Sequence, residues 1–191
     1  MTGDEVKKYI NQIAFSGAQD FIEKYKDKFD QGSQIIGHFG LGFYSAFMVA
    51  DKVQIDTLSW QEGAEAVRWI SSGGTEFEMD ASDRSERGTT VTLYVSEDSV
   101  EFLEEYKMRA ILRKYCSFMP FEVYLENAAK EKKQEDKKET GTEEVKPLND
   151  TNPLWLKNPK DCTDEEYKEF YKKVFLDFED PLFWVHLNMD Y

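Results

Sequence analysis

The sequence is short of cysteine, of long apolar runs and of positive charge. Its two cysteines, Cys116 and Cys162, are too few for a disulfide framework or a cysteine-based zinc centre. We expect both to be reduced thiols in a cytoplasmic protein. No apolar run approaches the roughly 20 residues of a membrane-spanning helix. The first residues also lack the basic start and apolar core of a signal peptide, so we predict neither a leader nor a membrane association.

The excess of negative charge excludes some classes of binding partner. Lysine and arginine number 24 against 38 aspartates and glutamates, which gives a formal net charge of −14. An acidic surface repels nucleic-acid backbones and anionic lipid headgroups, so neither is predicted as a partner. Nucleotide binding is not excluded, because backbone N–H groups can hold a phosphate without a side-chain cation.

Periodicity predicts an α/β order of elements in the first two thirds of the chain. A helix is predicted over residues 3–15, followed by a second amphipathic stretch and by a helix directly behind a glycine-rich loop. A later helix is predicted from about Asp98 to before Pro120, with a strand at 121–125 behind it. Four short runs separated by glycine turns predict an antiparallel meander, at residues 53–57, 66–70, 75–79 and 91–95.

Composition changes abruptly at Asn127. Residues 127–149 are dominated by charges of both signs and cannot bury enough surface to offset the entropy of ordering, so they predict a flexible linker. A solvated surface helix is the alternative. Residues 150–191 are again apolar, with a helix start at Thr163 and a buried strand predicted at 183–189. About forty residues do not close such a core alone, so we expect the start of a truncated domain.

The glycine-rich loop is the main chemical signal. Gly37, Gly40 and Gly42 lie within six residues, and an apolar helix opens behind them. Glycines let backbone N–H groups approach a ligand, and a helix start adds a partial positive charge, so the loop is a candidate phosphate cradle. Its spacing matches neither the dinucleotide fingerprint nor the P-loop. The alternative is a tight loop that only packs a helix against a sheet.

The wider string around this loop resembles a known family. Residues 35–53 closely resemble the glycine-rich box of the heat-shock protein 90 family of molecular chaperones, in its bacterial HtpG type. Residues 13–17, the Arg-Gly-Thr at 87–89 and the stretch from Asn152 to Leu182 resemble it too, so the similarity covers essentially the whole chain.

The resemblance implies an α/β fold of the GHKL (Bergerat-type) ATPases, a two-layer sandwich with a mostly antiparallel sheet. Residues 1–126 would be an incomplete portion of the N-terminal ATP-binding domain, with a lid at about 3–33. Residues 127–149 would be the charged linker, and 150–191 the start of a truncated α/β middle domain.

The resemblance also implies a site for ATP and Mg²⁺. Gly40, Leu41, Gly42 and Phe43 would offer backbone donors to the phosphates. Met1 would line the adenine pocket and Thr89 would reach adenine. The remaining cofactor-binding candidates are Ile10 on the first helix and Gly37, His38 and Phe39 in the loop.

No catalytic or metal-binding residue is predicted within the chain. The family's general base, its magnesium-binding Asn and its adenine-binding Asp would precede Met1, and its middle-domain Arg would follow Tyr191. Two lid positions also depart from the family pattern, because Tyr9 stands where many relatives have Asn and Phe15 where many have Lys.

The function implied is that of a segment of an ATP-dependent chaperone, an ATPase that assists the folding of unfolded or partly folded client proteins. We expect the segment alone to lack hydrolysis and not to form the homodimer of the full-length family. Trp155 and the Phe183-Trp184 pair are candidate interdomain or client contacts, with core packing as the alternative. Two other functions stay open, a non-enzymatic protein-interaction module and a different GHKL-type ATPase.

Overall fold

The computed structural model describes residues 1–18, 22–23, 36–37, 39–128 and 146–187. It divides the chain into two compact units, Met1–Glu104 and Glu105–Tyr191. The domain boundaries expected from the sequence, around residues 126 and 149, stay a prediction. What is confirmed is the coarse fold class, helices combined with a small antiparallel sheet.

Unit 1 is built from short elements. In chain order these are α1 (Gly3–Tyr9), a 3₁₀-helix (Gly42–Met48), β1 (Ala50–Leu58), β2 (Val67–Ser71), β3 (Glu78–Ala81), β4 (Gly88–Val95) and a second 3₁₀-helix (Glu97–Leu103). A capping box starts α1, since the Thr2 hydroxyl accepts the N–H of Glu5 at 3.2 Å and the Glu5 carboxylate accepts the N–H of Thr2 at 2.7 Å.

The helix predicted over residues 3–15 was too long, and the one behind the glycine loop is of another type. The chain leaves α1 after Tyr9, and the Asn11 side chain then accepts the indole N–H of Trp69 at 2.9 Å. Ala14 adopts a left-handed φ of 60°, which no helix interior allows. The element behind the glycine loop is a 3₁₀-helix of 7 residues rather than an α-helix. The second amphipathic stretch falls largely outside the described residues.

The four predicted strands are present, but they do not form a simple meander. The sheet order is β3-β2-β1-β4 with all pairs antiparallel, so β4 returns to the free edge of β1. The burial pattern gives a reason. Val53, Ile55 and Thr57 of β1 are at most 1% exposed, and a strand buried this fully gains most from a partner on each side. Val53 and Ile55 form the core of unit 1 with Val6, Ala50 and Trp69.

Unit 2 is held largely by aromatic contacts. Among its described residues the helices are α2 (Glu105–Cys116) and α3 (Asp164–Phe175), with two short 3₁₀-helices between them at Leu154–Leu156 and Pro159–Asp161. The predicted helix start at Thr163 is confirmed, since Thr163 and Glu166 form a capping box. The rings of Phe118, Trp155 and Phe170 lie 4.6–5.8 Å apart. We call these three residues the aromatic triad.

Three predictions for this part of the chain were wrong. The helix expected from about Asp98 to Pro120 is divided at Glu104, whose extended backbone ends the second 3₁₀-helix before α2 begins. The segment 121–125 is not a strand, because a side-chain amide rather than a neighbouring strand binds its backbone. Residues 183–187 form no buried strand either and are mostly exposed, while 188–189 lie outside the described residues.

In the described part of the chain, no helix combines the length and apolarity needed to cross a bilayer.

One carboxylate in the sheet accepts hydrogen bonds from three side chains, which lie on β1, on β2 and directly after β3. Asp56 on β1 accepts hydrogen bonds from Arg68 at 2.8 Å, Ser82 at 2.6 Å and Gln54 at 2.5 Å. Burial disfavours its charge, but the three hydrogen bonds outweigh that effect, so the pKa of Asp56 lies below its ordinary value of 3.8. A depressed pKa stabilises the fold above pH 3.8, and this contribution is lost as the pH falls through the folded-state value.

We therefore expect Asp56→Asn to lower the free energy of unfolding at pH 7 by about 1–3 kcal/mol. The loss should shrink when urea unfolding is repeated at progressively lower pH, because the native carboxyl is itself protonated once the pH falls through its depressed pKa. Asp51→Asn, at an exposed position of the same strand, is the control. An equal loss at all pH values would show that shape rather than charge matters at Asp56.

Candidate functional site

The glycine loop closes directly onto the segment that follows α1. Gly40 has a φ of +64°, and a Cβ placed there would lie 2.3 Å from the carbonyl oxygen of Phe15. Only glycine permits this conformation together with so close a backbone approach. The loop and residue 15 are thus joined at Gly40, where any side chain would force them apart.

The other two glycines of the loop have a different environment. A Cβ built at Gly37 or Gly42 would meet no atom of the described residues within 4 Å, and neither glycine has a positive φ. Packing therefore does not explain glycine at these positions. Open space beside bare backbone is what a close-lying ligand would require, so this part of the loop fits a phosphate cradle.

The element behind the loop anchors it to the core. The Phe43 ring packs edge-on against Trp69 at 5.7 Å, and the Tyr44 hydroxyl donates to the carbonyl of Ile10 at 2.5 Å. Burial raises the pKa of Tyr44 above its ordinary value. Phe43 and Ile10 are thus brought together at the core, where both side chains are partly buried against the apolar cluster of unit 1. Their contribution to a ligand site would come from the backbone.

The polar end of the candidate site is centred on Thr57. Its hydroxyl lies 2.7 Å from the main-chain nitrogen of Met1, which donates to it, and 2.8 Å from the hydroxyl of Thr89. The Gly88 carbonyl, 3.3 Å away, is the alternative acceptor for the single hydroxyl hydrogen of Thr57; when Thr57 donates to Thr89 instead, the Thr89 hydroxyl keeps its own hydrogen for a ligand. Thr57 faces Thr89 across the β1–β4 ladder and is 0% exposed, whereas Thr89 is exposed. The buried hydroxyl therefore orients an accessible one.

An open cleft of about 420 Å³ lies beside this cluster. Its lining residues are Met1, Leu58, Trp60, Arg87 and Gly88. Trp60 is 67% exposed and offers an aromatic face, while Arg87 supplies a cation and Met1 an apolar wall. A planar aromatic group could stack here and receive a hydrogen bond from Thr89.

The predicted residues thus separate into groups. Met1 and Thr89 meet at Thr57, Ile10 and Phe43 meet at the core, and Gly37, Gly40 and Gly42 belong to the loop. The Leu41 and Phe39 side chains are exposed. His38 lies outside the described residues.

Sequence reasoning overlooked Thr57 and Trp60. Thr57 carries a visible signal, because it is the polar member of the alternating series Val53, Ile55 and Thr57 that faces the core. A buried hydroxyl in such a series needs a partner, and this one is Thr89. Trp60 stands in a turn and has no comparable signal.

Tyr9 and Phe15, the two residues expected to depart from the family pattern, form an aromatic pair. The rings of Tyr9 and Phe15 lie 5.8 Å apart. The ammonium of Lys8 stands over both, 5.0 Å from the Tyr9 centroid and 5.4 Å from that of Phe15. A lysine is therefore present near this segment, although not at the position where many relatives carry one.

Comparison with known proteins gives consistent results along the chain. The family model "Hsp90 protein" matches residues 126–190. The chaperone protein HtpG of Bacteroides fragilis is 50% identical over 191 residues, and that of Porphyromonas gingivalis is 47% identical over the same length. HtpG of Shewanella pealeana is 39% identical over 195 residues. Each match covers 100% of this chain but only 27–31% of the relative, so the chain spans less than a third of these proteins' length.

Proposed function

Because this chain belongs to the heat-shock protein 90 family, as a segment homologous to part of the bacterial HtpG chaperones, we propose that it contributes ATP binding to an ATP-dependent chaperone. In this proposal residues 1–126 are part of a GHKL-type ATP-binding domain, 127–149 are a linker and 150–191 begin the middle domain. The complete protein would be a cytoplasmic homodimer that binds unfolded or partly folded client proteins.

The carrying observation is the contrast between the glycines of the loop. Gly40 packs directly against the backbone of Phe15, which requires glycine there. Gly37 and Gly42 instead face open space in the described structure. A purely structural loop needs only the first. The first N–H groups of the 3₁₀-helix, at Gly42 and Phe43, have no intrahelical acceptor and remain for a phosphate.

Each end of the site has a separate task. The backbone of Gly40, Leu41, Gly42 and Phe43 would bind the phosphates of ATP. At the other end Thr89, oriented by Thr57, would donate to the adenine ring beside Met1. ATP would supply the free energy that drives the chaperone between conformations. No residue of this chain is proposed as general base or as magnesium ligand, so the segment alone is proposed to bind weakly and not to hydrolyse.

A protein-interaction module without nucleotide is the second candidate. Unit 2 exposes large apolar side chains close together in sequence, with Phe178 97% and Leu182 100% exposed. Such clustering marks surfaces that contact other protein. Both functions could coexist in a chaperone, and the absence of nucleotide binding would leave the second alone.

Calorimetry with ATP and Mg²⁺ tests the proposal, on this chain and on the longer protein with the length of its relatives. We expect the longer protein to bind, and Thr89→Val to weaken its binding about 10-fold through loss of one hydrogen bond to the ligand. Thr92→Val is the matched control, because it lies on the opposite face of β4. Unchanged binding by Thr89→Val would remove Thr89 from the site, and no binding at all would favour the interaction module.

A further inference from the structure

A single side chain joins the two flanks of the charged stretch. The Asn149 amide nitrogen donates to the carbonyl of Met119 at 2.9 Å and to that of Phe121 at 2.7 Å. Its amide oxygen accepts the N–H of Val123 at 2.7 Å. Both amide hydrogens are used and the oxygen has a donor, so this side chain satisfies three backbone groups at once.

Main-chain hydrogen bonds extend the same contact in both directions. The N–H of Leu148 donates to the carbonyl of Val123 at 2.8 Å, and the N–H of Asp150 donates to the carbonyl of Ser117 at 2.8 Å. Asn149 between them is 9% exposed, although asparagine is usually a surface residue. Residues 117–123 and 148–150 therefore meet along five hydrogen bonds, although 26 residues separate Asn149 from Val123.

The aromatic triad continues this contact further along the chain. Phe118 belongs to the first flank, whereas Trp155 and Phe170 follow the charged stretch. The polar contacts fix the register of the two flanks, since the amide nitrogen of Asn149 donates to two particular carbonyls and its oxygen accepts from one particular N–H. The triad supplies apolar burial, which has no register of its own.

We propose that residues 117–123 are a docking surface for the segment that begins at Leu148, with Asn149 as the residue that specifies it. In this arrangement the two flanks stay associated through their own contacts, and residues 129–145 are needed for covalent connection but not for docking. This inference does not depend on nucleotide binding.

The test cuts the chain inside the charged stretch. Residues 134–140 are replaced by a seven-residue protease recognition site, and the folded protein is cleaved there. We expect the two pieces to coelute in size-exclusion chromatography after dilution. Asn149→Ala should weaken their association about 100-fold, because three hydrogen bonds are lost and three backbone groups remain without their partner. Asn152→Ala, an exposed asparagine three residues further, should change nothing.

A second variant protects the test against a simple folding failure. Asn149→Asp keeps the size of the side chain and an oxygen for Val123, but it places a negative charge against the carbonyls of Met119 and Phe121. In the uncut chain, amide exchange at Val123 should be slow in the wild type, faster in Asn149→Asp and fastest in Asn149→Ala. Separation of the wild-type pieces on cleavage would overturn the proposal. So would pieces of both Asn149 variants that bind each other as tightly as wild type, because the triad alone would then hold the flanks together.

Discussion

Replacing Trp155 with alanine is expected to lower the stability of unit 2 by about 2–4 kcal/mol. Truncating a large aromatic side chain in a core usually costs about 3–5 kcal/mol, and the 47% exposure of Trp155 reduces the effect. This loss of stability is nevertheless large for unit 2, which has few buried residues in the part that the structure describes. Among its described residues, only Asn149 and Pro153 are classed as buried, so the contacts of Trp155 with Phe118 and Phe170 are a substantial part of its packing.

Amide exchange measured residue by residue separates this effect from general destabilisation. The amides of Leu148 and Asp150 should exchange faster in Trp155→Ala, because the flanks they join lose their apolar support. The amides of β1 in unit 1 should keep their protection. Trp60→Ala removes an equally large side chain that is 67% exposed, and it should leave both sets unchanged. Equal protection of Leu148 in wild type and Trp155→Ala would show that the triad does not support unit 2.

The same result would bear on the role of Trp155 as a contact residue. Core packing was one of two readings of Trp155 from the sequence, and the ring distances of 4.6 and 5.7 Å place it in the triad. Phe183 differs, since it is 78% exposed, while Trp184 stacks on Tyr167 at 5.2 Å. Of these residues, Phe183 is the better candidate for contact with another protein.

Local patterns predicted well wherever a local cause decides the structure. The alternation of β1 and the helix start at Thr163 depend on side chains a few residues apart, and both are present. The position of β4 depends on which strand has an open edge, and alternation within a single strand does not contain that information. The chain at 121–125 shows the same limit, because the groups that bind its backbone, the Asn149 side chain and the N–H of Leu148, are distant in sequence.

In the candidate site, too, the features with a local cause were predictable from the sequence, and those that depend on contacts between distant residues were not. The glycine loop was visible because three glycines before an apolar run are unusual, and the structure gives them two different environments. Family resemblance, rather than any local pattern, brought Met1 and Thr89 into the predicted site. Thr57 joins them through hydrogen bonds that cross from β1 to the chain start and to β4, and such contacts between distant residues are not encoded by spacing.

Gly40→Ala and Gly42→Ala are expected to have opposite effects on stability, and this difference distinguishes a packing loop from a ligand-binding loop. An alanine at Gly40 must adopt a left-handed conformation, which costs about 1–2 kcal/mol, and its Cβ would overlap the Phe15 carbonyl. We expect a total loss of about 2–4 kcal/mol, with the loop separated from residue 15. Thermal unfolding with amide exchange at residues 15 and 44 measures both consequences.

An alanine at Gly42 meets no described atom within 4 Å and begins a 3₁₀-helix, so the variant should be as stable as wild type or about 0.5–1 kcal/mol more stable. If the open space beside Gly42 receives a phosphate, the same methyl group stands where the ligand must lie. ATP binding by the longer protein should then fall at least about 10-fold although the fold is intact. Unchanged ATP binding by Gly42→Ala would contradict the cradle and leave the packing contact of Gly40 as the reason for glycine in this loop.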